Sequence, residues 1–252
     1  MSTVQGRLLA IHVGMPQDYG VAGSVEPMDR PWRSAIFKKP VTDPIWLGRG
    51  NLEGDGQADA ENHGGPEKAV NVYPAEHYPR WRTVLDRDVI EFGAFGENFT
   101  TQDLLESEVC IGDVFAVANA VVEISQPRQP CWKLARRWRR KDLTMLVEAS
   151  GFTGWYFRVL QEGLVEPQAT IRLIERPYPK WTVMRANHIM HGSTGENESI
   201  RKLAACPALS TSWKATLEKR IERGFVSSAR RISGPEAVEY ITGTNDADRP
   251  GR

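Results

Sequence analysis

The feature that most constrains this chain is a change of period at Arg176-Pro177-Tyr178-Pro179. Before it, apolar residues come in short extended runs broken by Gly, Pro and Asp. After it, they recur at helical spacing. The upstream runs are Val4–Val13, Ser34–Val41, Ile45–Leu47, Ala69–Tyr73, Val114–Val117 with Val121–Ser125, Trp155–Leu160 and Thr170–Glu175. The break at Ala118–Ala120 predicts a hairpin. The break at Gln161–Gln168 predicts a second antiparallel pair with a longer loop. Two helices interrupt, over Ala75–Leu85 and from a cap at Asp142 to Gly151. Many short strands with short connections favour a closed or nearly closed β-barrel over a βαβ sheet.

Downstream, Thr182 is placed to cap a helix ending at Gly192, and Glu196–Cys206 forms a second before Pro207. Ser210 caps a third that carries Trp213, Leu217 and Ile221 at i, i+4 and i+8 and stops at Gly224. Helices this short are marginal alone in water, so they must pack on each other or on the barrel. The expected organisation is a barrel domain over 1–176, a three-helix domain over 180–224 and a polar tail over 225–252, frayed at its end. Charge changes at the same boundary. Residues 177–252 carry 12 basic and 8 acidic side chains, and residues 1–176 carry 20 and 24. The whole is neutral, with 32 of each sign, which excludes a globally basic nucleic-acid binder. No apolar run reaches the roughly 20 residues of a membrane span, and the first residues lack a signal-peptide pattern. Three widely spaced cysteines make no disulfide framework, and the expected compartment is the cytoplasm.

The sharpest chemical signal is Gln126–Leu134, QPRQPCWKL. Pro127 and Pro130 lack a backbone N–H, which holds the piece extended and off-sheet. Cys131 follows, among Arg128, Lys133, Arg136 and Arg137. Positive neighbours favour the thiolate, the form that ligates metals and attacks electrophiles. The plainer reading, a small buried apolar cysteine, suits Cys110 and Cys206 better. His63-Gly64-Gly65-Pro66 reads either as an ordinary turn or as a backbone that a ligand can approach closely, with Lys68 ready to meet an anion. The spacing Asp55, Gln57, Asp59, Glu61 imitates a calcium loop but has Ala60 and Pro66 where that loop needs Gly and Glu. The basic run Arg136–Lys141 is read as a solvated helix flank rather than a phosphate grip. His188 and His191 read as helix-end histidines, and Gly96-Glu97-Asn98 as a polar turn. No Walker, GxSxG or GxGxxG motif is present.

In order along the chain stand GDGQAD, HGGPEKAV, HYPRW, FGENFT, IGDVF, QPRQPCWKL and GWYFRV. In order and spacing these resemble the MOSC domain, named for the C-terminal domain of molybdenum cofactor sulfurases. The similarity is greatest to its YiiM-like branch and spans residues 4 to 223. The resemblance implies a mainly β barrel followed by a small three-helix domain. It implies a cavity for the molybdenum cofactor, with Cys131 as metal ligand or persulfide carrier. Lys68, Arg128 and Arg158 are then expected near the cofactor's phosphate and pterin, and Asn98, Gly64 and Gly65 along the same cavity. His63 is the expected proton donor.

The implied activity is oxygen removal from N-hydroxylated substrates, such as hydroxylamino purines or amidoximes. The alternative is persulfide transfer through Cys131, fed by a cysteine desulfurase. With no fingerprint for NAD, FAD or an iron–sulfur centre, electrons are expected from a separate donor protein. No membrane or nucleic-acid partner is expected. The helices are read as a homodimer contact, a docking face for the donor, or a cover for the barrel. The Pro/Gly-rich stretch Gly14–Pro31 is read as a loop over the cavity mouth.

Overall fold

The protein is described here by a computed structural model, in which residues 4–192, 197–224 and 228–235 are placed. The strands are β1 Gln5–Val13, β2 Gln17–Tyr19, β3 Trp32–Ser34, β4 Lys39–Val41, β5 Ile45–Leu47, β6 Val70–Pro74, β7 Phe99–Gln102, β8 Val114–Val117, β9 Ala120–Pro127, β10 Trp155–Gln161, β11 Gly163–Val165 and β12 Thr170–Glu175. The helices are α1 Ala60–His63, α2 Tyr78–Leu85, α3 Trp132–Trp138, α4 Leu143–Ser150, α5 Val183–His191, α6 Asn197–Ala204, α7 Thr211–Arg223 and α8 Ala229–Ser233.

Seven strands close into a barrel in the order β1–β12–β8–β9–β10–β6–β7 and back to β1. All of these pairings are antiparallel except β6 with β7. Closure rests on Gln5↔Arg172, Gly6↔Ile171 and Arg7↔Thr170. The period-two pattern supplies the interior: Phe115, Val117, Val122, Ile124, Trp155, Phe157 and Ile171 are all buried in one cluster. Leu8 and Ile11 in β1 are also in that cluster. They are three residues apart, which strict alternation forbids, and a register shift between Leu8 and Ala10 absorbs the extra residue.

The hairpin expected around Ala118–Ala120 is β8 and β9, paired from Val117↔Ala120. The second expected pair does not form. β10 lies between β9 and β6, β12 lies between β8 and β1, and the intervening β11 pairs with β5. Gly163 and Pro167 do punctuate this stretch, but the turn leads into a separate two-stranded sheet rather than a return to β10. A Cβ at Gly163 would lie 2.5 Å from the Asn119 carbonyl oxygen, so only glycine admits that close crossing.

A second core of Tyr73, Tyr78, Trp81, Phe95, Leu134, Leu143 and Val147 packs α2, α3 and α4 beside the barrel. Tyr73 and Phe95 stack at 4.7 Å, and the Trp81 indole donates to the Tyr73 hydroxyl at 2.6 Å. In the helical part, Thr182 accepts from the Arg185 N–H and Ser210 from the Trp213 N–H, so both caps act as their residue types require. Ile200, Leu203, Trp213 and Leu217 join the same buried cluster as the barrel strands, and the Ser210 N–H donates to the Ser125 carbonyl of β9 at 2.9 Å. The helices therefore pack on the barrel as well as on each other. Glu196, 225–227 and 236–252 lie outside the described residues. Within the expected polar tail, 229–233 forms α8. No described helix is long and apolar enough to cross a membrane.

Candidate functional site

A cavity of about 620 Å3, counting its mouth, opens where three loop segments cover β6 and β10. Its floor follows from strand pleating. Val70, Val72, Trp155 and Phe157 face the barrel core. Asn71 and Tyr156, cross-strand partners between them, face the other way and line the cavity. The covering segments bring Lys38, Asp55, His63, Lys68, Arg128 and Cys131 to the same space.

Cys131 is the N-cap of α3, in extended conformation. Its carbonyl accepts from the Thr144 hydroxyl at 3.1 Å and from the Leu134 N–H at 3.0 Å. Burial opposes the thiolate. The adjacent His63 imidazole, the Lys133 N–H and Arg128 outweigh it and bring the thiol down to about 6. Burial instead pushes Cys110 up to about 11 and Cys206 upward. Only one of the three cysteines therefore sits where a thiolate is favoured, and it is the one in the cavity.

Arg128 is held by its own N–H, which donates to the Gly154 carbonyl at 3.1 Å. The side chain is buried, and its Nη1 has no hydrogen-bond partner. The Oδ1 of Asn71 is likewise buried and unpartnered. A buried guanidinium nitrogen without an acceptor is costly unless something else supplies one. Gly154 has φ +69°, and a Cβ there would lie 2.0 Å from the Val72 carbonyl oxygen.

The HGGP turn begins at α1, capped by Asp59, which accepts from the Asn62 N–H at 3.1 Å. Gly65 has φ +89°. The cavity wall is made by His63 and Lys68 on either side of the two glycines; Gly64 and Gly65, expected along the cavity, are not in its lining and instead shape the turn between them. Lys68 donates to the Asn62 carbonyl at 2.8 Å, and burial lowers its affinity for the proton. Lys133 adds another cation to the lining.

Asn98 lines the cavity, but its amide is spoken for within the protein. Nδ2 donates to the His12 carbonyl at 3.1 Å and to Asp55 at 2.9 Å, and Oδ1 accepts from the Asn71 N–H at 3.0 Å. Glu97 is fully buried. It accepts from Gly93 N–H at 2.7 Å, Phe95 N–H at 3.0 Å, Thr100 hydroxyl at 3.0 Å and the Tyr78 hydroxyl. The Gly-Glu-Asn turn thus builds the cavity wall.

Arg158 is not brought to the cavity. Register explains it: Tyr156 lies opposite Asn71 and Gln126, whereas Arg158, two residues on, lies opposite Glu123. That step moves it about 6.6 Å along the strand, to Glu67 at 3.1 Å, Glu123 at 3.4 Å and the Ala208 carbonyl at 2.9 Å. Glu67 also accepts from the Thr211 N–H at 2.9 Å. Arg158 therefore ties the HGGP turn to the start of α7.

The sequence reading missed Lys38, Asp55, Asn71 and Tyr156. Alternation with Trp155 and Phe157 was an available signal for Tyr156, whose phenol burial pushes up to about 12. Asp55 is no calcium ligand: it pairs with Lys38 and accepts from the Gly14 N–H at 2.8 Å. The basic run is mostly engaged within the fold rather than spread on a solvated flank. Arg136 donates to the Arg30 carbonyl and Arg137 to the Gly93 carbonyl, both at 2.8 Å, while Arg139 pairs with Asp29 and Arg140 with Asp142. The Arg136 and Arg139 bonds dock the end of the segment after Gly14 against α3 and its C-terminus. The cavity lining from that side is Ser34, Ala35, Ile36 and Lys38, beyond the stretch expected to cover the mouth. His191 faces Glu148 and is pulled down to about 4 by burial, and His188 is exposed.

Fold and site together define a class: a closed barrel carrying, on its outer wall, a cation-lined cavity with one activated thiol. The MOSC domain matches residues 59–172, and the YiiM-like 3-alpha helix domain matches 181–224. The protein YflK of Bacillus subtilis is 44% identical over 86% of this chain and 95% of its own length. A protein of Gibberella moniliformis named "Reductase" is 34% identical over 81% of this chain, which corresponds to 35% of that longer protein. The crystal structure of YiiM from Geobacillus stearothermophilus superposes with a TM-score of 0.71 at 36% identity, covering 86% of this chain and 99% of that one. The chain belongs to the MOSC domain family, in its YiiM-like branch.

Proposed function

We propose that the cavity holds the molybdenum cofactor and that the protein reduces N-hydroxylated small molecules with electrons from a separate donor protein. The observation that carries this reading is the pairing, in one cavity, of a thiolate-favouring cysteine with a buried guanidinium nitrogen, Arg128 Nη1, that lacks an acceptor. A thiolate suits a thiophilic metal, and a guanidinium suits a phosphate. The orphaned Arg128 Nη1 and Asn71 Oδ1 are the polar atoms such a ligand would satisfy. The fungal relative's name supports a reductase, and MOSC domains are associated with this cofactor in general.

Cys131 would ligate the metal. Arg128 and Lys68, with Lys133 beside them, would meet the phosphate end. When bound, the cofactor supplies the two-electron chemistry. His63, which lines the cavity beside Cys131, would serve as the proton donor to the leaving oxygen. Reduction of an N–OH group consumes two electrons and two protons and releases water. The Lys38–Asp55–Asn98 network keeps the wall rigid around this exchange.

A second reading uses the same thiol. A low thiol pKa equally suits a persulfide carrier loaded by a cysteine desulfurase. Expression in a host that makes the cofactor, followed by molybdenum per chain and intact mass, separates the two. Near-stoichiometric metal in the wild type, little in Cys131→Ala, and reduction of an amidoxime by the wild type alone support the reductase. A sulfur-atom mass increment on Cys131 without metal supports the carrier and overturns the cofactor assignment.

A further inference from the structure

We infer that Arg231, in the short helix α8 beyond both matched domains, is a positioning residue for Cys131. Its Nη1 donates to the Pro130 carbonyl at 2.5 Å, and its Nη2 pairs with Glu148 of α4. Both side chains are largely shielded, with Arg231 21% and Glu148 16% exposed.

The need for such a bond lies in the PRQPC segment itself. Pro127 and Pro130 have no N–H to give to a neighbouring strand. Among the described residues, three anchors hold stretch 128–131. The Arg128 N–H bonds the Gly154 carbonyl upstream. The Cys131 carbonyl accepts from Thr144 and Leu134 downstream. Between them, Arg231 takes the Pro130 carbonyl. That carbonyl belongs to the peptide plane leading into Cys131. Fixing its direction fixes the torsions on either side, and with them the place of the thiol between His63 and Arg128.

Glu148 sets the guanidinium. It also faces His191 of α5 at 3.4 Å. Burial keeps that imidazole neutral through the neutral pH range, so the charge partner of Glu148 is Arg231. The carboxylate holds one nitrogen of a planar fork and directs the other at Pro130, a geometry a lysine cannot reproduce on both sides at once. Helix α8 thus reaches back to the cavity loop and completes its fastening. This inference concerns the chain's own geometry and stands apart from which ligand the cavity takes.

The test is hydrogen exchange followed by mass spectrometry, on the full chain without ligand. Peptides over 128–134 are compared with peptides over β9. In Arg231→Met, exchange over 128–134 is expected to accelerate roughly ten- to a hundredfold, the loss expected for a charge-assisted hydrogen bond, with β9 unchanged. Arg231→Lys, which keeps a charged donor, is expected to fall between. In Arg231→Gly, millimolar guanidinium is expected to restore slow exchange, which a merely unfolded segment would not show. Molybdenum retained on dialysis of protein loaded in the cell is the second readout, and it is expected to fall in Arg231→Met.

Unchanged exchange over 128–134, equal acceleration throughout the barrel, or no response to guanidinium overturns the inference. Absence of molybdenum in every variant would overturn the cofactor assignment alone, while the exchange data would still decide the role of Arg231.

Discussion

Alkylation of each cysteine by iodoacetamide across pH reads the electrostatics of the cavity directly. A thiol at about 6 is about nine-tenths thiolate at pH 7, against about 3% for an unperturbed thiol near 8.5. That is about thirtyfold more of the reacting form. The gain is partly cancelled, because thiolate nucleophilicity falls with pKa along a slope of about 0.4–0.5, which over 2.5 units is roughly tenfold. The net advantage at pH 7 is about threefold, too small to be diagnostic. The midpoint is diagnostic. The Cys131 rate is expected to rise near pH 6 and level off by pH 8, while Cys110 and Cys206, buried and pushed up, stay unreacted. His63 provides the largest influence favouring the thiolate, set against burial. His63→Ala is therefore expected to move the midpoint up by at least about one unit, worth about 1.4 kcal/mol. A wild-type midpoint above 8, or one that His63→Ala leaves in place, would show that the cavity does not hold Cys131 as a thiolate through His63.

The same depressed pKa gives a stability dependence of definite sign: the thiolate's contribution is complete above the unfolded value near 8.5 and is lost as pH falls through 6, so urea melts should show wild type gaining on Cys131→Ala between those limits, by at most about 3 kcal/mol. Arg128→Met removes a buried nitrogen that has no acceptor, so the ligand-free protein is expected to be as stable as wild type or up to about 2 kcal/mol more so. Thermal melts check this, with molybdenum retention falling in the same variant; a clear drop in Tm would mean the guanidinium has a partner. Glu97→Gln turns two amide hydrogens toward a site built of four donors and is expected to cost about 2–4 kcal/mol by chemical denaturation. Gly154→Ala forces a Cβ against the Val72 carbonyl; loss of soluble protein, or of more than about 3 kcal/mol, is expected.

Local signals in the sequence were readable where the physics is local. Thr182, Ser210, Gly192 and Gly224 bound their helices because caps and stops act within one turn. The β8–β9 hairpin was readable because its turn is short, only Ala118 and Asn119 between the strands. The partners of β10 and β12 were not, because both strands have apolar alternation that suits any neighbour, and barrel closure chooses among them. The cavity was legible as chemistry, through Cys131 and its basic surroundings, but not as geometry. Arg158 illustrates the difference. Its charge and its neighbours in GWYFRV pointed to the ligand, whereas a shift of two residues along β10 gives it to Glu67 and Glu123. Arg137 and Arg140 looked like surface charge because the carbonyls they serve, at Gly93 and Val84, are 44 and 56 residues away in sequence.

The pairing of β1 with β12 has a consequence for how the chain is made. β1 can find β4 and β7 once Gln102 has been synthesised, but the Gln5–Arg7 end of its other edge has no partner until Arg172 has been made. At about 5–20 residues per second, the interval of roughly 70 residues lasts about 4–14 s. Through that interval β4 covers the Ile11–Val13 end of this edge, while its Gln5–Arg7 end stays unpaired beside Leu8, the kind of surface that recruits another strand. The barrel can close only in its final stage of synthesis, and a chain whose growth stalls before Thr170 is a better substrate for a chaperone than for the fold.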